Sequence, residues 1–556
     1  MRAAPLSLFV GLLCLGAGAA TAQERPPLTE RALAQIRALD EEKQARTPAQ
    51  RKIESRLLFA LYKQRGDARL AALPDLRTLR PDADGRILVD IDVQSPGGVK
   101  RVLAALGKLG AQLVSHSLRL RTARARVPLS ELEALADMKE VRRVQAARQP
   151  LLHKVDTSEG DVAHRAAEAR AFFGVDGTGQ KVCVLSDGVD SLASIQASGD
   201  LPAVDVLPGQ AGSGDEGTAM LEIVHDLAPG ASLGFATAFS SAAQFAQNIL
   251  DLRADGCDIL VDDVLYLDES PFQDNAIAAA VNSVTASGAL YFSSAGNEGN
   301  KNDGTSGTWE GNFNGNGSIP GVPGTAHNFG DGGRSILVYA DSVTNTLHWT
   351  DPFGASGNDY DLYIMDFGLD IVWDASTNIQ DGNDDPFEIT ATGAFLLEQL
   401  VVVKKTGAAD RMINLFAPRG MLDPTLATKG ATRGHSAAAD AFSVAAVEAA
   451  SAGGAGGEFS GSESVEFFSS DGPRRIFFDS DGALLPGAPA SNFSASGGVV
   501  RQKPDLAAAD GVSTATPGFN PFYGTSAAAP HAAAIAALVR QAFPAFTPAQ
   551  VRAALL

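Results

Sequence analysis

The chain has 556 residues, 45% hydrophobic and 20% charged, with 45 Lys and Arg against 65 Asp and Glu for a formal net charge of −20. That composition describes a folded globular protein of several domains and excludes a largely disordered chain. The acidic balance argues against a nucleic-acid partner, whose phosphates call for a basic surface. At the start of the chain, Arg2, the apolar run Leu6 to Leu15 and the small residues Ala20-Thr21-Ala22 form a secretory signal pattern over residues 1–22. It implies a secreted protein, extracellular or periplasmic. No later run is long and apolar enough to span a bilayer. Cys14 leaves with the signal. Cys183 and Cys257 stay, both within apolar strand-like runs. Buried free thiols are the expectation there, with a single disulfide as the alternative.

Residues 23–66 are polar, with helical patches at Glu30 to Leu39 and Pro48 to Tyr62. From Arg86 the pattern changes. Ile87 to Val93 alternates as a strand does, and Val99 to Leu109 has the spacing of an amphipathic helix. Leu113 to Leu118 and Arg119 to Val127 read as strands, Leu129 to Ala136 as a helix and Val141 to Val144 as a strand. This order predicts a small ferredoxin-like α/β unit over residues 84–147.

The next stretch reads as strands whose carboxyl ends carry polar residues. In doubly wound α/β folds that is where chemistry sits. Lys181-Val182-Cys183-Val184-Leu185 runs into Ser186-Asp187-Gly188. Gly214-Asp215-Glu216-Gly217-Thr218 opens a helix that reaches His225. His225 lies nine positions after Glu216, about two and a half turns on, and faces the other way. Cys257 to Val261 is a strand leading to Asp262-Asp263, and Leu290 to Ser294 a strand leading to Ala295-Gly296-Asn297-Glu298-Gly299. Residues 300–335 read as a Gly- and Asn-rich loop. Short strands then recur at Ile336 to Tyr339, Thr346 to Trp349, Asp361 to Met365, Leu397 to Val403 and Met412 to Phe416. They predict an inserted β-sandwich over residues 312–428. Asp381, Asp384, Asp385 and Glu388 in it suggest structural calcium or solvated loop acids, and the spacing favours the latter. Strand-and-turn segments return from 429. Near the end Tyr523-Gly524-Thr525-Ser526-Ala527-Ala528-Ala529-Pro530-His531 delivers a hydroxyl to the first turn of an apolar helix. Pro530 is expected in that first turn, where its missing N–H is no loss.

The string Gly524-Thr525-Ser526-Ala527-x-x-Pro530-His531 resembles the nucleophile motif of the subtilisin-like serine peptidases and their sedolisin relatives. Ser186-Asp187-Gly188 resembles the subtilisin aspartate strand with the carboxylate displaced by one residue. Asn297 stands in a loop similar to the subtilisin oxyanion loop, and Glu216 occupies the position of the catalytic histidine. Sedolisins use Glu as base, but they place a second acid four residues later, where this chain has Met220. The resemblance implies a doubly wound, mostly parallel α/β peptidase domain in two parts, residues 151–311 and 429–556. It further implies that residues 23–150 are an inhibitory propeptide acting as the chain's own partner, and that more chain follows Leu556.

The resemblance also implies a mechanism that needs no cofactor. Ser526 is the nucleophile toward a protein or peptide substrate, Glu216 the general base, and Asn297 with the Ser526 N–H the oxyanion donors. Asp187, or failing that Asp263, hydrogen-bonds Glu216. An unperturbed Glu titrates near ~4.3, so an acid-leaning endopeptidase is expected. The rival reading is an inactive pseudo-peptidase, a secreted binding or scaffolding protein.

Overall fold

The computed structural model describes residues 45–68, 81–82, 84–117, 121–146, 158–317, 324–454, 457–489 and 491–556. The signal pattern and the expected helix Glu30–Leu39 lie outside the described residues. The chain divides into two compact units, Met1–Leu151 and Leu152–Leu556.

The first unit holds an antiparallel sheet. Its strands lie in the order Gln112–Ser117, Thr122–Pro128, Arg86–Val93 and Val141–Ala146. Along Arg86–Val93 every second residue is buried, because a strand's side chains point to alternate faces. Helix Pro96–Lys108 starts earlier than its apolar spacing suggests. Ser95 caps it by accepting the Gly98 N–H at 3.2 Å, and Pro96 fits the first turn. Leu57 and Leu61 of helix Ser55–Arg65 share one core with Val89, Val99 and Leu132.

The second unit is built on a seven-stranded, wholly parallel sheet. From edge to edge its strands are Leu506–Asp510, Phe442–Glu448, Leu290–Ser294, Ile259–Asp262, Lys181–Ser186, Ser232–Thr237 and Val204–Val206. The inner strands are buried on both faces, so they read as unbroken apolar runs. In Lys181–Ser186, Val182 and Val184 join the core shared with helices Glu216–Leu227 and Thr525–Ala542. Cys183 and Leu185 join the core shared with helices Ala242–Ala254 and Ala276–Ala286.

Cys183 and Cys257 form a disulfide, with Cα atoms 5.9 Å apart. This corrects the expectation of two free thiols. The pairing depends on which strands are neighbours: Lys181–Ser186 lies beside Ile259–Asp262, and Cys257 enters that neighbour on the same face. Gly234 on the other side leaves room for the bridge, since a Cβ there would lie 2.5 Å from the Cys183 sulfur.

Between Leu290–Ser294 and Phe442–Glu448 the chain forms two antiparallel sheets. One orders Thr308–Asn312, Met412–Phe416, Thr346–Trp349 and Phe387–Ile389. The other orders Val372–Ser376, Tyr360–Met365, Gln399–Lys404, Ile336–Ala340 and Met421–Leu422, with Thr325–Ala326 also on Gln399–Lys404. Residues of both, including Trp349, Leu362, Leu400 and Ile413, meet in one core. The first strand begins at Thr308, ahead of the boundary expected at 312. A ribbon of Arg474–Ile476 with Val499–Arg501 is a further excursion, and its Phe477 and Phe478 pack with Met412. Glu388 is buried rather than solvated. It accepts hydrogen bonds from Ser376, Asn378 and Gln380, and burial pushes its carboxyl up to about 7.

Candidate active site

The nucleophile candidate is placed by a turn between a strand end and a helix. Strand Leu506–Asp510 ends in Asp510, a fully buried carboxyl that accepts the Gly524 N–H at 2.9 Å. Gly524 has φ 110, a left-handed value that a side chain would strain. A Cβ there would also lie 3.1 Å from the Asn297 amide nitrogen. Gly524 is the N-cap, so helix Thr525–Ala542 places Ser526 in its first turn, with the serine 7% exposed. Pro530 is therefore inside the helix and not in its first turn, contrary to the sequence expectation. It cannot donate to the Ser526 carbonyl, the partner that an α-helix would assign to it. His531 bonds the carbonyl of Ala527 through Nδ1 at 2.7 Å.

Glu216 is the first residue of helix Glu216–Leu227 and sits between two partners. Its carboxyl faces the Asp263 carboxyl and the Ser526 hydroxyl, both near enough to act on its ionisation, and Asp187 acts on it through charge. Burial, and then the Asp187 charge, push Glu216 up to about 7. Asp263 follows strand Ile259–Asp262 and is held well above the carboxylate range, first by burial and then by the charges of Glu216 and Asp187. Two neighbouring carboxyls cannot both ionise cheaply, so each favours the protonated form of the other.

Asp187 is 1% exposed at the end of strand Lys181–Ser186. Its Oδ1 accepts the N–H groups of Gly188 at 2.5 Å and Gly217 at 3.3 Å. It therefore anchors the start of the helix that carries Glu216, where the amides and the dipole favour an anion. Gly214 is needed there, since a Cβ would lie 1.8 Å from Asp187 Oδ2. Burial raises Asp187 to about 6. The direct carboxyl partner of Glu216 in this geometry is Asp263.

Asn297 follows strand Leu290–Ser294. Its Oδ1 accepts both the Thr525 N–H and the Thr525 hydroxyl at 2.9 Å. A backbone donor can meet only the oxygen, so the amide orientation is determined and Nδ2 is left to donate elsewhere. The Ser526 N–H donates to no protein group among the described residues. These are two N–H donors beside the serine, the arrangement that stabilises a developing oxyanion. Sequence reasoning missed the roles of Thr525, which ties the Asn297 loop to the serine turn, and of Asp510. An Asp-Gly pair ending a strand ahead of the serine turn was the available signal. No three His, Cys, Asp or Glu residues are grouped to hold a metal among the described residues.

A hydroxyl at a helix start facing a carboxyl across the ends of parallel strands is an arrangement that suits a serine hydrolase. Comparison with protein families narrows that class. The model of the subtilase family, Peptidase_S8, matches residues 209–556, well over half the chain, and the chain belongs to this family of serine peptidases. The matched range includes Glu216, Asp263, Asn297 and Ser526 and begins after Asp187. Among solved structures, the chain is similar to the S41 psychrophilic protease at 16% identity, covering 72% of this chain and 89% of that one with a TM-score of 0.30. It is also similar to the MycP3 protease from the type VII (ESX-3) secretion system (14% identity, 72% and 83% covered, TM-score 0.29). A cold adapted subtilisin-like serine proteinase matches at 12% identity, with 68% and 81% covered and a TM-score of 0.28. No curated protein sequence matches the chain. No helix among the described residues is long and apolar enough to cross a membrane.

Proposed function

We propose that this protein is a secreted serine endopeptidase that works through Ser526 with a Glu216–Asp263 carboxyl pair in place of a histidine. The observation that carries the reading is the Glu216 carboxyl facing the Ser526 hydroxyl and the Asp263 carboxyl at the ends of the parallel strands. The Ser526 oxygen bonds to the peptide carbonyl carbon while its proton passes to the Glu216 carboxylate. Asp263 keeps its own proton and donates it in a hydrogen bond to Glu216, holding the base in place. Asn297 Nδ2 and the Ser526 N–H receive the oxyanion. Glu216 then gives its proton to the leaving amine nitrogen as the C–N bond breaks, which leaves an acyl-serine. Water reverses these steps. All the steps use protein groups, and Asp187 acts as a positioning residue behind the helix that presents Glu216.

The signal pattern of residues 1–22 supports secretion, and the Cys183–Cys257 bridge suits an oxidising compartment. The four-stranded unit of residues 86–146 supports a propeptide of ferredoxin-like build, and the two sheets between residues 308 and 422 a β-sandwich insert. The test is mass spectrometry of purified precursor incubated from pH 3 to pH 8 beside its Ser526→Ala variant. Cleavage between residues 145 and 175 in the parent alone is the expected result. An intact precursor that also leaves added peptides uncut would favour an inactive scaffold instead.

The pH dependence differs from that of a free glutamate. A base works only when ionised, so activity falls as pH drops through the Glu216 pKa, which burial and Asp187 raise toward neutrality. The low-pH limb of kcat/KM therefore lies near neutral pH. Asp187→Asn removes a charge that raises Glu216, so the limb moves to lower pH. A pH–rate profile checks this; a limb that stays put or moves upward would contradict the assignment of Glu216 as base.

A further inference from the structure

A turn of the inserted sheets reaches the loop that carries Asn297. Met412–Phe416 and Met421–Leu422 are joined by residues 417–420, closed by the Gly420 N–H on the Ala417 carbonyl at 3.0 Å. Pro418 takes the second position. The third is Arg419 with φ 61, a left-handed value where glycine is the favoured residue. A strained backbone kept with a long cationic side chain at such a position points to a use for the side chain.

That turn is locked onto the oxyanion loop. Glu298, next to Asn297 and only 6% exposed, accepts the Arg419 N–H at 2.6 Å. The Arg419 guanidinium stands 3.7 Å from the Glu298 carboxylate, too far for a good hydrogen bond, and its side chain is 52% exposed. Among the described residues it donates no hydrogen bond, and its charge reaches Glu216. A guanidinium with unused, solvent-facing donors is suited to a carboxylate, which it can meet with two parallel hydrogen bonds.

We propose that Arg419 is a specificity-determining residue, contributed to the cleft by the insert, that receives an Asp or Glu side chain of the substrate close to the scissile bond. This rests on the peptidase reading of the same site. It also gives the insert a role: it supplies the positive charge that a chain of net charge −20 needs locally to accept an acidic peptide.

The test is cleavage-site profiling by mass spectrometry on a proteome-derived peptide mixture, followed by matched peptides carrying Glu or Gln at the selected position. The parent is expected to cut the Glu peptide with about tenfold higher kcat/KM. Arg419→Gln is expected to bring that ratio near one, and Arg419→Glu to turn the preference toward Lys or Arg. A purely electrostatic effect on Glu216 would shift the pH profile for both peptides alike and keep the ratio, which would overturn the proposal. If the parent cuts no peptide, the peptidase reading fails by itself. Retention of Glu over Gln peptides by immobilised Ser526→Ala protein, with and without Arg419→Gln, then decides the proposal: a retention preference that needs Arg419 supports it, and equal retention overturns it.

Discussion

Ser526→Ala is expected to lower kcat for peptide hydrolysis by roughly 10⁴-fold or more, and Glu216→Gln by a comparable factor. The reason is geometric. The Glu216 carboxyl faces the Ser526 hydroxyl, and no histidine is among the groups that act on it there. A glutamine keeps the size of Glu216 and its contact with Asp263 but cannot take a proton. Because nucleophile and base act as one unit, the double variant should be little worse than Ser526→Ala alone. Circular dichroism and thermal unfolding should show both variants folded, since neither change opens a core cavity. Near-parental activity in Glu216→Gln would remove Glu216 from the mechanism and reopen the search for a base.

Asn297→Ala carries the second large effect, an expected loss of about 10²–10³ in kcat with KM nearly unchanged, the size seen for one oxyanion donor in a subtilisin. The side chain has a second duty, since its Oδ1 holds the Thr525 N–H and hydroxyl. Asn297→Asp separates the two duties. It keeps an oxygen for Thr525 but replaces the amide N–H by a carboxyl, which has nothing to donate to an oxyanion once ionised. Its activity should be at least as low as that of Asn297→Ala near pH 7. A variant that matched the parent there would show that Asn297 is a loop anchor only. Steady-state kinetics on one peptide across pH supplies both readings.

The motifs around Ser526, Asn297 and Glu216 were legible because each sits at a strand end or helix start marked by glycine. Their backbone geometry restricts the residue types along only a few positions. The inner strands were legible for a similar reason, since burial on both faces leaves an apolar run such as Val182 to Leu185. Ser232–Thr237 is buried in the same way but was missed, its short apolar run being broken by Gly234, and strands outside that condition were missed too. Val372–Ser376 is mostly exposed, and Phe387–Ile389 is a three-residue strand carrying the buried Glu388, so neither shows a clean alternation. The ribbon of Arg474–Ile476 and Val499–Arg501 is held by pairing between segments far apart in sequence, which local pattern does not carry.

Sequence alone determined the apolar strands, the glycine-marked turns and the order in which serine, amide and carboxyls follow one another. Those are properties of short segments, set by local sterics and side-chain periodicity. Tertiary structure decided everything that depends on which segments become neighbours. It joined Cys183 to Cys257 across adjacent strands, set Asp263 rather than Asp187 against Glu216, and moved Pro530 out of the first helical turn. It also raised the Glu216 pKa by gathering acids in a place poor in water, and brought Arg419 of a distant insert onto the loop that holds Asn297. Desolvation and charge contact arise only once the chain has closed around the site, so no single stretch of residues encodes them.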